Sequence, residues 1–478
     1  MINKNAKIAI IGGGVAGSST ALYLGQLGLN VTLFEKERDL ISGPPFCHLH
    51  AGGNLYREIS DKQCIKLLKQ SIDFLRYYPF VVDYRPTVIV LPTDDKGKVD
   101  DLIPRLELLT HEYEKLINDD SENKVLGESK NYYKLYSKED IENLKNRETS
   151  KSPKTLDDWM VPVAKNISLD KVQFPLIIVQ EYGLNLFRLA SGVKISLAKI
   201  ENTTLLTNST VKNLKLDNDE KKFTLTYSSK NQEYSDSFDY VINAAGFQTG
   251  KIDDMLSVPC KRMVEFKAAY VTKWKGNNTL FPEIIFHGER GTPQGMGQFT
   301  PYPDGHFQLH GMTKDITLYK DGLVANTKMS CQPKLNQEFI QKIEDSWSKE
   351  EIDKRTSSAI KHISKFIPNF YDAKVASKPL FGAQQIPGDD PTLRVAEVSF
   401  VAKNYAICEI VKVSSVFSMI DAIVEQFIEL GYVDKSIYKT RDLSHLESLD
   451  EAEIKQNAKI ISQQKGYPSS ISDRNVAL

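Results

Sequence analysis

The stretch that decides the fold is KIAIIGGGVAGSSTALYLGQLGLNVTLFEK, residues 7–36. It opens with a short apolar run, which is typical of a buried parallel strand. The pattern G-x-G-x-x-G follows at Gly12, Gly14 and Gly17, and apolar residues then recur with helical spacing. A second apolar run ends at Glu35. The order of strand, glycine turn, helix, strand and acidic residue predicts a βαβ unit that binds a dinucleotide.

Each residue type in this unit has a physical role. Gly12 permits a tight turn, Gly14 lets the backbone approach a pyrophosphate, and Gly17 lets the helix pack close to the strand. The helix N-terminus offers N–H groups and a partial positive charge to the phosphates, and Glu35 can accept hydrogen bonds from ribose hydroxyls. The predicted cofactor-binding residues of this unit are Gly12, Gly14, Val15, Ala16, Gly17, Glu35 and Lys36.

Length and charge limit the classes of protein to consider. The chain has 478 residues, enough for one large domain or for two to three interleaved domains. Its formal net charge is −1, so no overall basic field exists to hold nucleic acid, and we expect no nucleic-acid partner. No apolar run approaches the ~20 residues that a membrane-spanning helix requires, so no transmembrane segment is expected.

The N-terminus and the cysteines indicate a compartment. Residues 1–7 lead directly into the first predicted strand and lack the features of a signal peptide. The cysteines, at positions 47, 64, 260, 331 and 408, are scattered and odd in number. They therefore predict reduced thiols and a cytoplasmic protein, with peripheral attachment to a membrane left open.

A second informative stretch is FCHLHAGGNLYREI, residues 46–59, which places Cys47, His48 and His50 within four positions. A zinc site would need further ligands at suitable spacing, and none is visible elsewhere, so no metal site is predicted. A nucleophile with its base is disfavoured, because adjacent side chains rarely point at each other. Gly52 and Gly53 would let the backbone pass close to a ligand, which favours a cofactor loop.

Four stretches together resemble the D-amino-acid oxidase superfamily of FAD enzymes, which includes sarcosine and dimethylglycine dehydrogenases and L-2-hydroxyglutarate dehydrogenase. They are the opening βαβ unit, the HLHAGGNL loop, LLTNSTVKNLKLD at 205–217 and DYVINAAGFQTGKI at 239–252. The C-terminal half is less similar. There, VKVSS stands where the family has a glycine-rich string in its last flavin-binding loop.

The resemblance implies an α/β fold, α+β overall, of the glutathione-reductase-like type. A Rossmann-type FAD-binding domain would be interleaved with a substrate domain built on an antiparallel sheet. The expected FAD-binding domain comprises 1–80, 180–255 and 380–435, and the substrate domain comprises 81–179 and 256–379. A C-terminal helix and tail, 436–478, would complete the chain.

The resemblance also implies FAD as the cofactor and assigns further residues to its site. Val211 would lie at the adenine end, and the other implied contacts are His48, His50, Ala51, Gly52, Ala245, Gly246, Val413, Ser414 and Ser415. His50 matches the position that is joined covalently to the flavin in dimethylglycine-type members. Whether the link forms here is left open.

The implied activity is that of an FAD-dependent dehydrogenase or oxidase. It would take a hydride from a carbon that bears OH or NH next to a carboxylate, as in a 2-hydroxy acid or an amino acid. The expected catalytic residues are His50 beside the flavin, Lys412 as a cation at the flavin edge, and Arg394 for the substrate carboxylate. The N–H groups of the Val413–Ser415 segment are an alternative to Lys412. Arg290 is a second candidate for the carboxylate, and Tyr302, Gln298 and His310 are candidates to line the pocket.

No second G-x-G-x-x-G opens a helix, which favours electron entry from an organic substrate. Oxygen, a quinone or a protein could then be the electron acceptor. Two other classes stay open: a flavoprotein that acts on RNA or on a protein partner, and an FAD-binding protein without small-molecule turnover.

Local patterns predict several other elements. Ser60 with Gln63, and Ser137 with Asp140, form capping boxes that open helices. An amphipathic helix is expected within 183–200, and alternating strands are expected within 260–314, with a hairpin turn at 303–305. The tail after Asp442 predicts a peripheral helix followed by a disordered end.

Overall fold

The computed structural model describes residues 2–41, 46–49, 51–53, 57, 59–217, 222–275, 279–393, 396–436 and 441–476, with only the backbone at 46–48. His50, Arg394 and the side chain of His48 therefore lie outside the described part. Predictions that concern them stay predictions.

The strands of the described chain form four sheets. In chain order they are β1 Lys7–Ile11, β2 Asn30–Phe34, β3 Phe46–His48, β4 Val82–Asp83, β5 Thr87–Val90, β6 Tyr133–Tyr136, β7 Leu176–Val179, β8 Gly183–Asn185, β9 Thr203–Leu206, β10 Ser209–Asp217, β11 Lys222–Ser229, β12 Gln232–Phe238, β13 Tyr240–Asn243, β14 Arg262–Lys273, β15 Glu283–Phe286, β16 Gly297–Tyr302, β17 His306–Gly311, β18 Leu323–Ala325, β19 Lys374–Val375, β20 Leu380–Pro387, β21 Val398–Ala402 and β22 Tyr405–Cys408.

The helices mostly cover these sheets or connect their strands. They are α1 Val15–Gln26, α2 Asp61–Tyr77, α3 Ile103–Asp119, α4 Lys138–Leu144, α5 Leu156–Asn166, α6 Leu186–Leu197, α7 Thr249–Met255, α8 Gln337–Glu344, α9 Lys349–Ser364, α10 Val416–Glu429 and α11 Glu451–Gln464. Among the described residues, no helix combines the length and apolar character needed to cross a bilayer.

The first sheet contains the predicted βαβ unit. Its strand order is β21-β22-β13-β1-β2-β9, and all neighbours are parallel except β21 with β22. Strand β1 lies between β2 and β13, so apolar side chains at Ile8 and Ile10 are fully buried. This arrangement brings the carboxyl ends of β1, β2 and β13 to one edge, where open α/β sheets bind their ligands.

The largest sheet is mostly antiparallel and has ten strands. Its main order is β18-β14-β17-β16-β15-β5-β7-β6, with β19 and β20 also paired to β14, and only β5 with β15 is parallel. Asp304 and Gly305 adopt φ values of 61° and 65° in the turn between β16 and β17, as a tight hairpin requires. The predicted antiparallel sheet, its hairpin and the overall fold class are confirmed.

The predicted helix starts are confirmed as well. Ser60 and Gln63 form a reciprocal capping box at α2, and Ser137 and Asp140 form another at α4. Asn185 caps α6 by accepting from the N–H groups of Phe187 and Arg188, at 3.1 and 3.2 Å. The domain bounds given above stay a prediction.

The C-terminal segment departs from the expectation of a disordered end. Helix α11 forms as expected, but its residues Ile454 and Ala458 are buried in the main apolar core. The chain then continues along the protein, and the Val476 N–H donates to Asp83 at 2.9 Å. The expectation of disorder is therefore wrong through Val476, because long-range contacts hold a polar segment in place.

The expectation that every thiol is reduced is also wrong. Cys260 and Cys331 form a disulfide between residues 71 positions apart. Cys260 precedes β14 and Cys331 follows β18, and these two strands pair antiparallel. Strand pairing brings the two cysteines together, and their sequence spacing gives no sign of it. Localisation in the cytoplasm stays a prediction.

Candidate active site

A cavity of about 1240 Å³ lies between the parallel sheet and the large antiparallel sheet. Its wall on the first side includes Gly14, Val15 and Ala16 at the start of α1. Its wall on the other side includes Gln298 and His310, from β16 and β17. The cavity thus reaches from the predicted phosphate-binding turn to the predicted substrate sheet. Its two walls come from residues that are far apart in the sequence.

The glycines of the first turn have different surroundings. Gly12 has a φ of +104°, and a Cβ there would lie 2.4 Å from the Ala244 carbonyl oxygen. A Cβ at Gly17 would lie 1.9 Å from the Gly12 carbonyl oxygen, whereas one at Gly14 would meet no atom within 4 Å. Gly12 and Gly17 therefore satisfy packing within the fold, and Gly14 leaves open space at the cavity wall.

The N-terminus of α1 fits an anionic group. Gly14 is its N-cap residue, so no side chain satisfies the free N–H groups there, and the first turn contains no acidic residue. These N–H groups and the helix dipole favour a negative charge in the cavity. The residues present therefore suit the pyrophosphate of a dinucleotide.

Glu35 lies behind this turn and is 6% exposed. Its carboxylate accepts from the Gly13 N–H at 2.6 Å and from the Glu37 N–H at 2.8 Å. Burial raises the pKa of Glu35, and the two backbone hydrogen bonds act in the opposite direction. Glu35 thus orders the glycine turn in addition to any contact with a ribose. Lys36 beside it forms an ion pair with Glu37 at 3.4 Å.

The end of β13 contributes Ala244 and Gly246 to the cavity wall, with Ala245 between them. Asn243 fixes this bend, since its side chain accepts from the Ala245 N–H at 3.2 Å and donates to Asp253 at 2.9 Å. Both Asn243 and Asp253 are fully buried. The predicted return of the chain toward the cofactor site therefore has a rigid support.

Lys412 and Val413 line the same cavity just before α10. Ser414 and Ser415 are buried, and the Ser415 hydroxyl donates to Gln70 on α2 at 2.9 Å. Val211 is half-buried at an irregularity of β10 and packs against an apolar cluster beneath the parallel sheet. The cavity lining accordingly includes Gly14, Val15, Ala16, Gly246, Lys412 and Val413 of the predicted site.

The segment at 51–53 has packing that the sequence did not reveal. Gly52 has a φ of +100°, and a Cβ there would lie 2.7 Å from the Cys64 carbonyl oxygen. A Cβ at Gly53 would lie 2.8 Å from a carboxylate oxygen of Glu181. Ala51 is fully buried. Close approach to α2 and to Glu181 accounts for both glycines, and the approach of this loop to a flavin ring stays a prediction.

The sheet side of the cavity has a polar wall. Gln298 and His310 line it as predicted, and His287 lies beside them. The Gln298 side-chain NH₂ donates to Glu283, whose other oxygen accepts from Arg85 at 2.6 Å. Arg85 and Glu283 are almost completely buried. A buried ion pair therefore fixes the amide of a cavity-lining residue.

Tyr302, also expected in the pocket, packs in the main core instead. Its hydroxyl donates to Gln308 at 3.1 Å. The two residues project from neighbouring strands on the same face as Gln298 and His310, but the lining of the cavity does not include them. The alternation along β16 predicts which residues share a face of the sheet. It does not predict which part of that face borders the cavity, and for this reason the expectation for Tyr302 failed.

One positive group in the wall combines Arg290, a candidate from the sequence, with Lys267, which the sequence did not reveal. Lys267 on β14 lies 3.0 Å from Glu265, and Arg290 forms an ion pair with the other oxygen of the same carboxylate. Burial raises the pKa of Glu265, but the two cations outweigh it and bring the pKa below its ordinary value. Two cations share one carboxylate, so this part of the wall keeps a net charge of about +1.

Lys267 is also connected to the loop before α10. Its amine donates to Gln384 at 3.2 Å, and the Gln384 side chain donates to the Val411 carbonyl at 2.8 Å. Val411 precedes Lys412 in the cavity wall. The antiparallel pairing of β14 with β20 produces this connection between the two sides of the cavity.

Arg57 and Asp95 also line the cavity. The guanidinium of Arg57 forms a bidentate contact with the Asp95 carboxylate, at 2.7 and 2.9 Å. This pair joins the segment after the HLHAGGNL loop, residues 48–55 and here called the histidine loop, to the loop after β5. Bidentate pairs of this kind are among the stronger ion pairs, so the pair should hold these two segments together.

Asp253, Cys260 and Cys331 are the one group of three metal-donor side chains among the described residues. Their donor atoms are already engaged. The two cysteines form the disulfide, and Asp253 contacts Arg262 at 2.7 Å. The disulfide and the ion pair account for this group without a metal ion.

Comparison with known proteins agrees with the cavity and the fold. Residues 7–133 match the model of the family described as DAO, FAD dependent oxidoreductase. The sequence matches no curated protein. The family match confirms the resemblance to the D-amino-acid oxidase superfamily that the motifs indicated.

Solved structures show the same fold over most of the chain. Glycine oxidase from Geobacillus kaustophilus aligns with a TM-score of 0.55 and 11% identity, over 92% of this chain and 97% of that one. Glycerol-3-phosphate dehydrogenase from Bacillus halodurans, complexed with FAD, aligns with a TM-score of 0.57 and 13% identity, over 98% and 74%. L-Amino acid deaminase from Proteus vulgaris aligns with a TM-score of 0.56 and 14% identity, over 95% of this chain and 97% of that one.

The family match, the fold and the anion-binding turn define the class of this protein. Residues 7–133 match the FAD-dependent oxidoreductase family model, and most of the chain shares the fold of solved flavoenzymes of that kind. The predicted cofactor, FAD, and the prediction of an enzyme are confirmed at this level. At 11–14% identity, the solved structures establish the fold, and the substrate requires a separate argument.

Proposed function

We propose that this protein uses FAD to oxidise a small carboxylate substrate at the carbon that bears OH or NH next to the carboxylate. The observation that carries the proposal is the cavity itself, which joins the N-terminus of α1 to a polar wall with a positive group. FAD, when bound, supplies the hydride acceptor. The substrate would then lie between the cofactor and the antiparallel sheet.

Residues on the cofactor side fit the roles that this proposal requires. The N–H groups at the start of α1 suit the pyrophosphate, and Glu35 can still accept a hydrogen bond from a ribose hydroxyl, since each carboxylate oxygen has two lone pairs. Lys412, in the cavity wall, supplies a positive charge near the start of α10. A cation placed there would stabilise negative charge that develops on the cofactor.

Lys267 and Arg290 suit the carboxylate of the substrate. They supply two cationic donors at one place in the wall, and Glu265 neutralises only one of the two charges. Glu265 also limits how far the Lys267 amine can move. Arg290 was expected as a candidate from the sequence, whereas Lys267 emerges only from the pairing of β14 with β20. Arg394 stays a candidate outside the described residues.

His310 is suited to accept the proton of the substrate OH or NH. Thr317 has one hydroxyl proton and donates it to the Ala268 carbonyl at 2.9 Å. The 3.4 Å contact between Thr317 and His310 Nδ1 is therefore best satisfied by a proton on Nδ1. That tautomer leaves Nε2 as the basic nitrogen of a cavity-lining residue.

A substrate panel tests the proposal. Purified protein with FAD is mixed anaerobically with 2-hydroxy acids, amino acids and N-methyl amino acids, and flavin absorbance is followed. Reduction by at least one carboxylate substrate, and none by its amide or ester, is the expected result. Reduction by uncharged analogues at equal rates would contradict it. Addition of oxygen, a quinone or an acceptor protein to the reduced enzyme then identifies the electron acceptor.

Lys267→Met gives a sharper test with a matched control. Loss of one charged hydrogen bond to a carboxylate should weaken substrate binding by about tenfold or more. Lys273, on the same strand, forms an ion pair with Asp304 on the hairpin, so Lys273→Met should leave binding unchanged. Equal KM values for parent and Lys267→Met would remove Lys267 from the substrate site.

Two other classes stay in view as outcomes of the same work. If no small molecule reduces the flavin, gel filtration with RNA and with candidate protein partners tests a flavoprotein that serves a macromolecule. If neither turnover nor partner is found, the chain is an FAD-binding protein without turnover. The net charge of −1 favours a small-molecule substrate over RNA.

A further inference from the structure

Glu181 is a buried carboxylate that neither the sequence patterns nor the proposed chemistry accounts for. It lies between β7 and β8 and is 0% exposed. One oxygen accepts from the Gly53 N–H at 2.8 Å and from the Tyr132 hydroxyl at 2.9 Å. The other accepts from the Ala51 N–H at 3.3 Å. A fully buried charge persists only when such donors compensate for the loss of water.

The surrounding contacts hold Glu181 in one place. The Thr87 hydroxyl donates to the Glu181 carbonyl at 2.8 Å, which ties its backbone to β5. Burial, and then the charge of Glu181, raise the pKa of the Tyr132 hydroxyl well above its ordinary value, so Tyr132 stays a donor. The Leu49 N–H donates to the Tyr182 carbonyl at 2.9 Å, and β3 pairs with β8.

These contacts connect the histidine loop to the substrate sheet. On either side of this loop in the sequence, Ile41, Arg57 and Ile59 line the cavity. Between them, Ala51 and Gly53 give their N–H groups to a residue about 130 positions away. The position of the loop relative to the cavity therefore depends in part on the carboxylate of Glu181.

We propose that Glu181 is a positioning residue for the cofactor: it holds the peptide N–H groups of Ala51 and Gly53 and thereby sets the approach of the histidine loop to the flavin. The inference rests on the proposed function, because it takes this loop as the flavin loop. Glu181 acts through the loop and touches neither substrate nor cofactor. Position 53 then requires glycine, because the Cβ of any other residue would lie 2.8 Å from a carboxylate oxygen of Glu181.

Glu181→Gln tests this role with little change in volume. The glutamine amide has only one acceptor oxygen, so its NH₂ group must face an N–H or O–H group that donates to the carboxylate in the parent. Loss of one hydrogen bond to a charged group predicts about tenfold or greater weakening of FAD binding. We also expect a shifted absorbance band of the bound flavin and a changed midpoint potential, which a merely stabilising residue would not alter.

Tyr132→Phe is the matched control. It removes one donor from the same carboxylate and leaves both loop contacts intact. FAD affinity and the flavin spectrum should then stay close to those of the parent, even if the protein unfolds at a lower temperature. Should Glu181→Gln fail to fold, Gly53→Ala perturbs the same contact from the loop side and should give the same spectral shift.

The readouts separate this inference from the proposed function. FAD affinity, flavin spectrum and midpoint potential need no substrate, so they are measurable even if the substrate panel fails. An unchanged affinity, spectrum and potential in Glu181→Gln would overturn the positioning role, whatever happens to stability. A shifted spectrum together with no reduction by any substrate would retain the role of Glu181 and contradict the proposed oxidation.

Discussion

Gly14 and Gly17 belong to one motif, and the structure assigns them separate physical roles that substitution can distinguish. Gly14 has φ −65° and ψ −173°, which any residue can adopt, and a Cβ there would enter open space at the cavity wall. A Cβ at Gly17 would lie 1.9 Å from the Gly12 carbonyl oxygen and 3.0 Å from the Ala244 Cβ. Gly14→Ala should therefore affect FAD, and Gly17→Ala should affect the fold.

The magnitudes follow from these distances. Gly17→Ala improves helix propensity by about 1 kcal/mol, but overpacking against a backbone atom costs roughly 1–3 kcal/mol, and the very short contact places it near the upper end. Gly14→Ala replaces an N-cap glycine at a cost of up to about 1 kcal/mol. Its Cβ would lengthen charge-assisted hydrogen bonds to the pyrophosphate, worth about 1.5–3 kcal/mol, or roughly 10–150-fold in Kd.

The assay uses protein freed of FAD. Thermal unfolding of the apoprotein should rank the parent and Gly14→Ala above Gly17→Ala. Fluorescence titration with FAD should show the large loss of affinity in Gly14→Ala. If Gly14→Ala binds FAD as the parent does, the cofactor does not approach this turn. If Gly17→Ala leaves the apoprotein as stable as the parent, the contact with Gly12 is not a constraint on the fold.

Three further predictions concern other parts of the molecule. Glu35→Ala should lose FAD affinity and also destabilise the apoprotein by about 1–3 kcal/mol, since the buried Gly13 N–H and the partly buried Glu37 N–H lose their acceptor; unchanged urea unfolding of the apoprotein would contradict this. Burial lowers the pKa of His445 from 6.5 to about 4, so as the pH falls His445 is protonated in the unfolded chain before it is protonated in the folded protein. Stability that is present above pH 6.5 should fall by up to about 3 kcal/mol toward pH 4, and the loss should be smaller in His445→Gln; parallel unfolding curves against pH would refute it. Cys260→Ser should lower stability by about 4 kcal/mol under non-reducing conditions, with no difference from the parent under reducing ones, and thiol titration of the denatured parent should show two cysteines that react only after reduction.

The local elements of this protein could be predicted because they depend on neighbours in the sequence. A capping box needs residues three positions apart, as in Ser60 with Gln63, and the G-x-G-x-x-G turn needs only the strand and helix on either side. Alternation along β14 to β17 indicated an antiparallel sheet for the same reason. These patterns were sufficient for the dinucleotide-binding unit and the antiparallel sheet, and the resemblance to the D-amino-acid oxidase superfamily added the fold class and FAD.

The substrate side of the site depended on tertiary structure. Lys267 has nothing in its local sequence to separate it from other lysines. It becomes part of the wall because β14 pairs with β20. Arg290, from the loop between β15 and β16, then reaches the same carboxylate as Lys267. The expected catalytic set of His50, Lys412 and Arg394 included only one residue whose position the structure describes.

The sequence by itself determined the βαβ unit, the helix starts, the alternating strands and the class of cofactor, since each is encoded over a few residues or one supersecondary unit. Only the tertiary structure decided the disulfide across 71 positions, the order of the C-terminal segment and the role of Glu181. The physical reason is distance along the chain. Which of these residues are buried, and which residues they contact, depends on which strands pair. That pairing cannot be read from a single sequence by local patterns.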